Sequence, residues 1–215
     1  GVIRGTSMRR ANARSLLSTH VLKNHLELSV GVNAMFGAHQ GVPVTGYNQS
    51  VLDAMNYYSP TNPIKDNSGS WYESPFGTNN YNPLSLINED GNEFSWRRMQ
   101  LVAKAKLQIV KDLEWNTHYA YSTGQRMFAS YNSSQSQIVK GYNGQAKRSI
   151  SSGDEHNLES FVNYNMLFGE RHRVGVMLGY SFEQRVNNDG FGVTVHNFYN
   201  DTIGFHNISY ANLIN

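Results

Sequence analysis

Eight histidines stand at positions 20, 25, 39, 118, 156, 172, 196 and 206. None keeps the spacing of a helical metal site such as H-E-x-x-H, so no metal is expected. The chain has no cysteine, which removes thiolate sites, disulfides and Cys nucleophiles. Paired carboxylates occur at Glu89-Asp90 and Asp154-Glu155. Neither pair has an acid or base partner in its own segment, and both read as solvated loop charge. Calcium at Asp66 and Asn67 with Glu89 and Asp90 has no counterpart among known loop spacings. Gly190-Phe191-Gly192 lacks the third glycine and the following helix of a phosphate loop. The expectation is a non-enzymatic protein without a cofactor.

A tract of aromatics is the other chemically suggestive group: Tyr57, Tyr58, Trp71, Tyr72, Phe76 and Tyr81. Rings with asparagines nearby suit sugar stacking or contact with a partner protein. They equally suit a small core that holds a long polar segment together, which is the plainer reading. Within that segment Asn48 or Ser50 can cap a short helix, Ser50-Val51-Leu52-Asp53 being a capping-box variant, with Leu52 and Met55 on a common side. Ser59 to Ile64, with two prolines, ends it.

The elements around these residues are strands. Leu26, Leu28, Val30, Val32, Ala34 and Phe36 alternate with Glu27, Ser29, Gly31 and Asn33, the period of a half-buried strand. Met99, Leu101, Ala103, Ala105, Leu107 and Ile109 likewise alternate with Arg98, Gln100, Lys104, Lys106 and Gln108. The same pattern gives six strands at roughly 8–22, 25–36, 94–110, 113–127, 157–168 and 172–186. Tight turns join them in pairs at Lys23-Asn24-His25, Lys111-Asp112 and Gly169 to His172. Long polar segments at 37–93, 127–156 and 188–215 lie on the other side.

Runs of about 9–12 residues, tilted by about 45°, match the height of an outer-membrane hydrocarbon band. Short turns on one side and long loops on the other match the threading of such barrels. A lysine on the lipid side at the midplane costs about 2–4 kcal/mol. Glu27, Asn33, Lys104, Lys106 and His118 are therefore expected to face a wet lumen. Phe36 and Trp96, and Trp115 and Phe168, lie near opposite strand ends, where aromatic girdles sit. A soluble β-sandwich also alternates and carries aromatics, and stays open as a reading.

Composition is compatible with either reading. The chain has 215 residues, 39% hydrophobic and 12% aromatic, and a formal net charge of +2. Mean hydropathy is −0.51. No apolar run is long enough for a membrane helix. Dispersed basic residues do not suggest nucleic acid as a partner. Gly1-Val2-Ile3-Arg4 does not read as a signal peptide. Outer-membrane barrels begin at about 8 strands, so six strands are expected to be a piece of a larger wall.

The order of pieces resembles the SusC/RagA family of TonB-dependent outer-membrane transporters of Bacteroidetes. The residues that carry the likeness are the loop helix, Pro60 to Pro63, the Asp66 to Trp71 turn, Asn82-Pro83-Leu84 and Trp96-Arg97-Arg98. Further on they are Lys111-Asp112-Leu113, Glu155 to Leu158, Phe168-Gly169 to His172, and Gly179-Tyr180. The motifs are short, and their order and spacing cover nearly the whole chain. The resemblance implies an all-β, antiparallel transmembrane barrel of about 22 strands with a plug, of which residues 1–215 are one part. It implies import of oligosaccharides or peptides with energy from TonB, beneath a SusD-like surface lipoprotein, in the bacterial outer membrane. No plug domain or TonB-contacting segment is recognisable among these residues. The aromatic tract would then contact the lid or line the extracellular mouth. A passive porin-like barrel is the rival within membranes; a soluble glycan-binding sandwich is the rival outside them.

Overall fold

A computed structural model of the chain describes residues 3–42, 50–75, 81–169 and 172–214. They form one curled antiparallel sheet in which each strand pairs with its neighbours in sequence, β1-β2-β3-β4-β5-β6-β7. The strands are β1 (Ser7–Val21), β2 (Leu26–Gly41), β3 (Asp90–Val110), β4 (Leu113–Asn132), β5 (Gln145–Phe168), β6 (His172–Phe198) and β7 (Ala211–Ile214). Two helices, α1 (Val51–Tyr57) and α2 (Pro83–Glu89), lie between β2 and β3. No helix among the described residues is long and apolar enough to cross a membrane.

The turns account for the hairpins. Lys23 and Asn24 take φ of 54° and 69°, and the His25 amide donates to the Leu22 carbonyl at 3.1 Å. This left-handed pair matches the twist of the flanking strands. Asp112 plays the same part between β3 and β4 at φ 70°. Ser50 accepts from the Asp53 amide at 3.0 Å and caps α1 as its sequence suggests; Asn48 lies outside the described residues. Asn82 accepts from the Leu84 amide at 3.0 Å and caps α2, with Pro83 at the first helical position.

The strands differ from expectation at the end away from the tight turns. β2, β3, β4, β5 and β6 all run on into the stretches 37–93, 127–156 and 188–215 read as loops, and β7 adds a seventh strand. The cause is physical. Beyond Arg97 both faces of the sheet carry polar residues, so the backbone pairs while the period-2 signal vanishes. The stretch from 188 onward, expected as a loop, instead continues β6, which runs on opposite an irregularity between Ile150 and Ser152.

Among the described residues, packed cores occur only at this loop end. Val42, Val51, Ala54 and Leu86 form one, with Ile3, Tyr81, Ile87 and Ile138 against it. Tyr131, Ala146, Val195 and Phe198 form the other. The outward side of α1 is the one with Leu52 and Met55, while Val51 and Ala54 face the core. At the tight-turn end no layer of described residues covers either face: every residue of β1 is exposed, Leu17 at 74% and Leu178 at 78%. Among the described residues there is no second sheet to bury these rows, as a β-sandwich would require.

Candidate functional site

Cross-strand register sorts the side chains into two faces. Val21, Leu26, Leu107, Trp115, Val162 and Leu178 make one row across six strands; Leu17, Val30, Ala103, Tyr119, Leu158 and Phe182 make another. From the Met166–Val174 pair up to the row of Ser15, Val32, Leu101, Tyr121, His156 and Gln184, this face holds no Asp, Glu, Lys or Arg. The first charges above it are Asp154 and Arg97. Ten residues of strand separate Met166 from His156, about 34 Å along the strand, or about 24 Å of height at a 45° tilt.

Polar tips on this face satisfy one another. The Trp115 indole donates to Ser160 Oγ at 2.9 Å. Tyr119 and His156 share a hydrogen bond of 2.8 Å, and the Tyr121 hydroxyl donates to Asp154 at 3.1 Å. Trp96 does not belong to this face. It lies opposite Gly37, whose missing side chain leaves room for the ring: a Cβ there would be 2.1 Å from Trp96 Cζ2. It stands on the side of Arg98, so the girdle of Phe36 with Trp96 is corrected; closeness to a strand end had not distinguished the two faces. The Phe168 side chain lies outside the described residues.

The other face gathers the charges of the same rows. Glu27, Asn33, Lys104, Lys106 and His118 are all on it: Glu27 lies opposite Lys106, Asn33 opposite Gln100, and Lys104 opposite His118. Lys106 Nζ is 2.8 Å from Glu114 Oε2, and the Asn116 amide donates to Glu114 Oε1 at 2.6 Å. His20 sits 3.8 Å from Glu27. Higher up, Arg98 and Arg185 each reach Glu155 at 3.3 Å. Asp154 and Glu155 are thus strand residues on opposite faces and not loop charge, because β5 starts at Gln145.

The loop end is stitched by polar side chains. Trp71 donates to Glu89 Oε1 at 2.9 Å and carries Lys65 Nζ over its ring at 3.2 Å. Glu89 also accepts from Ser133 Oγ, and Gln137 Oε1 accepts from the Asn82 amide at 2.9 Å. Tyr58 donates to the Pro63 carbonyl at 3.1 Å, and the Tyr72 carbonyl accepts from Gln137 at 3.3 Å. Tyr81 packs on the first core. Trp71, Tyr58, Tyr72 and Tyr81 therefore hold the loop, and Tyr57, 70% exposed, points outward. Phe76 lies outside the described residues. Asp66 accepts from the Ser68 and Ser70 amides at 2.8 and 3.0 Å, Glu89 from Trp71 and Asp90 from Asn132, so these acids serve the protein's own donors. No group of three metal-ligating side chains occurs among the described residues.

The Asp201 and Asp90 carboxyls have shifted titration. Burial would raise the Asp201 carboxyl, but bonds from Ser134 and Tyr131 outweigh it and hold it below its ordinary range. Burial pushes the Asp90 carboxyl up to about 6, opposed by the Asn132 amide, 2.6 Å from Oδ1. Because the folded value exceeds the unfolded one, Asp90 favours the folded loop most below about pH 4. That contribution, about 3 kcal/mol at most, is lost as pH rises through about 6. Hydrogen exchange of residues 82–90 should accelerate between pH 4.5 and 7.5 beyond the intrinsic rate, and Asp90→Asn should flatten the change. An equal slope in both proteins would refute it.

No family model matches the chain, and no curated protein is significantly similar to it.

Proposed function

We propose that this chain forms part of the wall of an outer-membrane β-barrel, with the uncharged face against lipid and the charged face against a water-filled lumen. The observation that carries the reading is the uncharged band. Its height of about 24 Å matches the apolar belt of about 25 Å on such barrels, and charges appear at its upper border. Leu17, Val30, Val176, Leu178 and Tyr180 all stand exposed on this band, a grouping of large apolar side chains that soluble monomers rarely leave uncovered. Among the described residues no strand pairs with the outer edge of β1, and β6 pairs with β7 only near Val195–Phe198. Each unpaired backbone group in lipid costs several kcal/mol, so further strands must flank both edges.

Within that setting the resemblance to SusC/RagA transporters favours energised import of oligosaccharides or peptides over passive diffusion. The outward side of α1, with Leu52, Met55 and Tyr57 exposed, suits the seat of a lipoprotein lid. Fractionation of cells expressing the full gene tests location: the protein should leave the outer membrane only with detergent, and a freely soluble product would refute it. Uptake of labelled oligosaccharide and peptide mixtures separates the two transport modes. A proton uncoupler should abolish it; uptake that persists would indicate a porin.

A further inference from the structure

The charged face is not uniform along its height. In its tight-turn half Lys104, Lys106 and Arg173 are balanced by Glu27, Glu114 and Glu159. In the rows above, Arg10, Arg14, Arg98, Arg126 and Arg185 share the face with Glu155 and Glu183 as the acids among described side chains. Five positive groups against two negative ones make this level a basic rung.

At its centre the floor is open. Gly124 lies directly opposite Gly153, with Arg98 on one side of the pair and Asn187 on the other. A Cβ at Gly124 would be 3.8 Å from Arg98 Cγ, and the Arg98 guanidinium crosses β4 to reach Glu155 on β5. The depression, about 730 Å³, is bordered by Trp96, Arg98, Arg126, Arg185 and Glu155. Glu155 accepts one bond from Arg98 and one from Arg185, and Arg185 also reaches Glu183 at 3.5 Å, which ties both heads while leaving further N–H donors of each fork free. Arg126 is exposed and makes no hydrogen bond or ion pair among the described residues. Asp154, the other acid nearby, faces the opposite side and accepts from Tyr121.

Fixed guanidinium forks around a side-chain-free floor are built for planar or tetrahedral oxyanions. We infer that the Gly124–Gly153 notch binds an anionic group, a carboxylate or phosphate, of the solute that crosses this face. The inference rests on the reading of the charged face as the border of a solute path and adds the substrate class. Rings of Arg on pore walls select anions by the same physics.

The test is calorimetric titration of the full-length protein, in uncharged detergent, with citrate and with inorganic phosphate. Citrate should bind and weaken as salt is raised. Arg126→Gln, which leaves Glu155 with both partners, should weaken binding about tenfold, and Arg126→Lys should restore part of it. Gly124→Val should abolish binding by filling the notch without removing a charge. No binding by the parent protein up to about 10 mM, well above the range of a specific site, or equal binding by Arg126→Gln, would overturn the inference. So would displacement of citrate by phosphatidylglycerol vesicles, which would mean the notch meets lipid headgroups. A failure here combined with lipid exposure at 103 and water exposure at 104 would reject the anion site alone and leave the barrel wall standing.

Discussion

Exchanging two neighbours, Ala103→Lys together with Lys104→Ala, should lower folded stability in lipid by about 2–4 kcal/mol. Ala103 lies midway along the uncharged run Met99–Ile109 of β3, in the row of Leu17, Val30, Tyr119, Leu158 and Phe182. A lysine there would place its ammonium near the centre of the hydrocarbon. Composition is unchanged by the exchange, so effects on the unfolded chain largely cancel. Lys104→Ala alone should change stability by no more than about 0.5 kcal/mol. Urea titration of the full-length protein in vesicles measures both, and equal stability of the exchanged and parent proteins would contradict the assignment of faces.

Phe198→Ala should have the next largest effect, at the other end of the sheet. Phe198 is 1% exposed and meets the Tyr131 ring edge-on at 5.3 Å. Its amide donates to the Asn143 carbonyl at 2.7 Å, and its carbonyl accepts from the Asn143 side chain at 2.7 Å. Removing a fully buried ring costs about 3–5 kcal/mol. The cost should appear locally, because Tyr131 also anchors Asp201, which in turn holds Ser134. Limited proteolysis should show faster cleavage within residues 199–210 and 133–144, with the tight-turn half of the sheet unaffected. Unchanged cleavage would mean this small core does not hold the loops.

How far the sequence revealed this fold depended on the chemistry of each face. Alternation located the tight-turn halves of six strands because one face there is apolar and the other is not. It failed in Gln145–Asp154 and in Asn187–Thr194, where serine, glycine and charged residues occupy both faces. Such strands are held by backbone bonds that leave no periodic trace. β7 was invisible because four residues are too few to show a period. The α1 cap was legible in Ser50, since capping depends on one side chain and its neighbours, whereas Asn82-Pro83 was read only as leading into the third strand and α2 was missed.

The candidate site divides in the same way. Parity alone placed Glu27, Asn33, Lys104, Lys106 and His118 together, because a strand offers only two directions. The opposition of Gly124 and Gly153 depends on the register between two strands, and no local pattern specifies it. Glu155 was missed as a partner for Arg98 and Arg185 for that reason. Aromatic residues in the 37–93 segment were legible as a group, but sequence did not show that Trp71 faces inward to Glu89 while Tyr57 faces out.

The most direct test is a nitroxide scan of positions 99–109 in the full-length protein reconstituted in lipid. Labels at 101, 103, 105 and 107 should be relaxed by oxygen dissolved in the bilayer, and labels at 100, 104 and 106 by a water-soluble nickel chelate. Two opposed periods of two are the predicted result. Labels at 101 to 107 shielded from both reagents would show the aliphatic rows packed against protein, and the membrane-wall account would be contradicted.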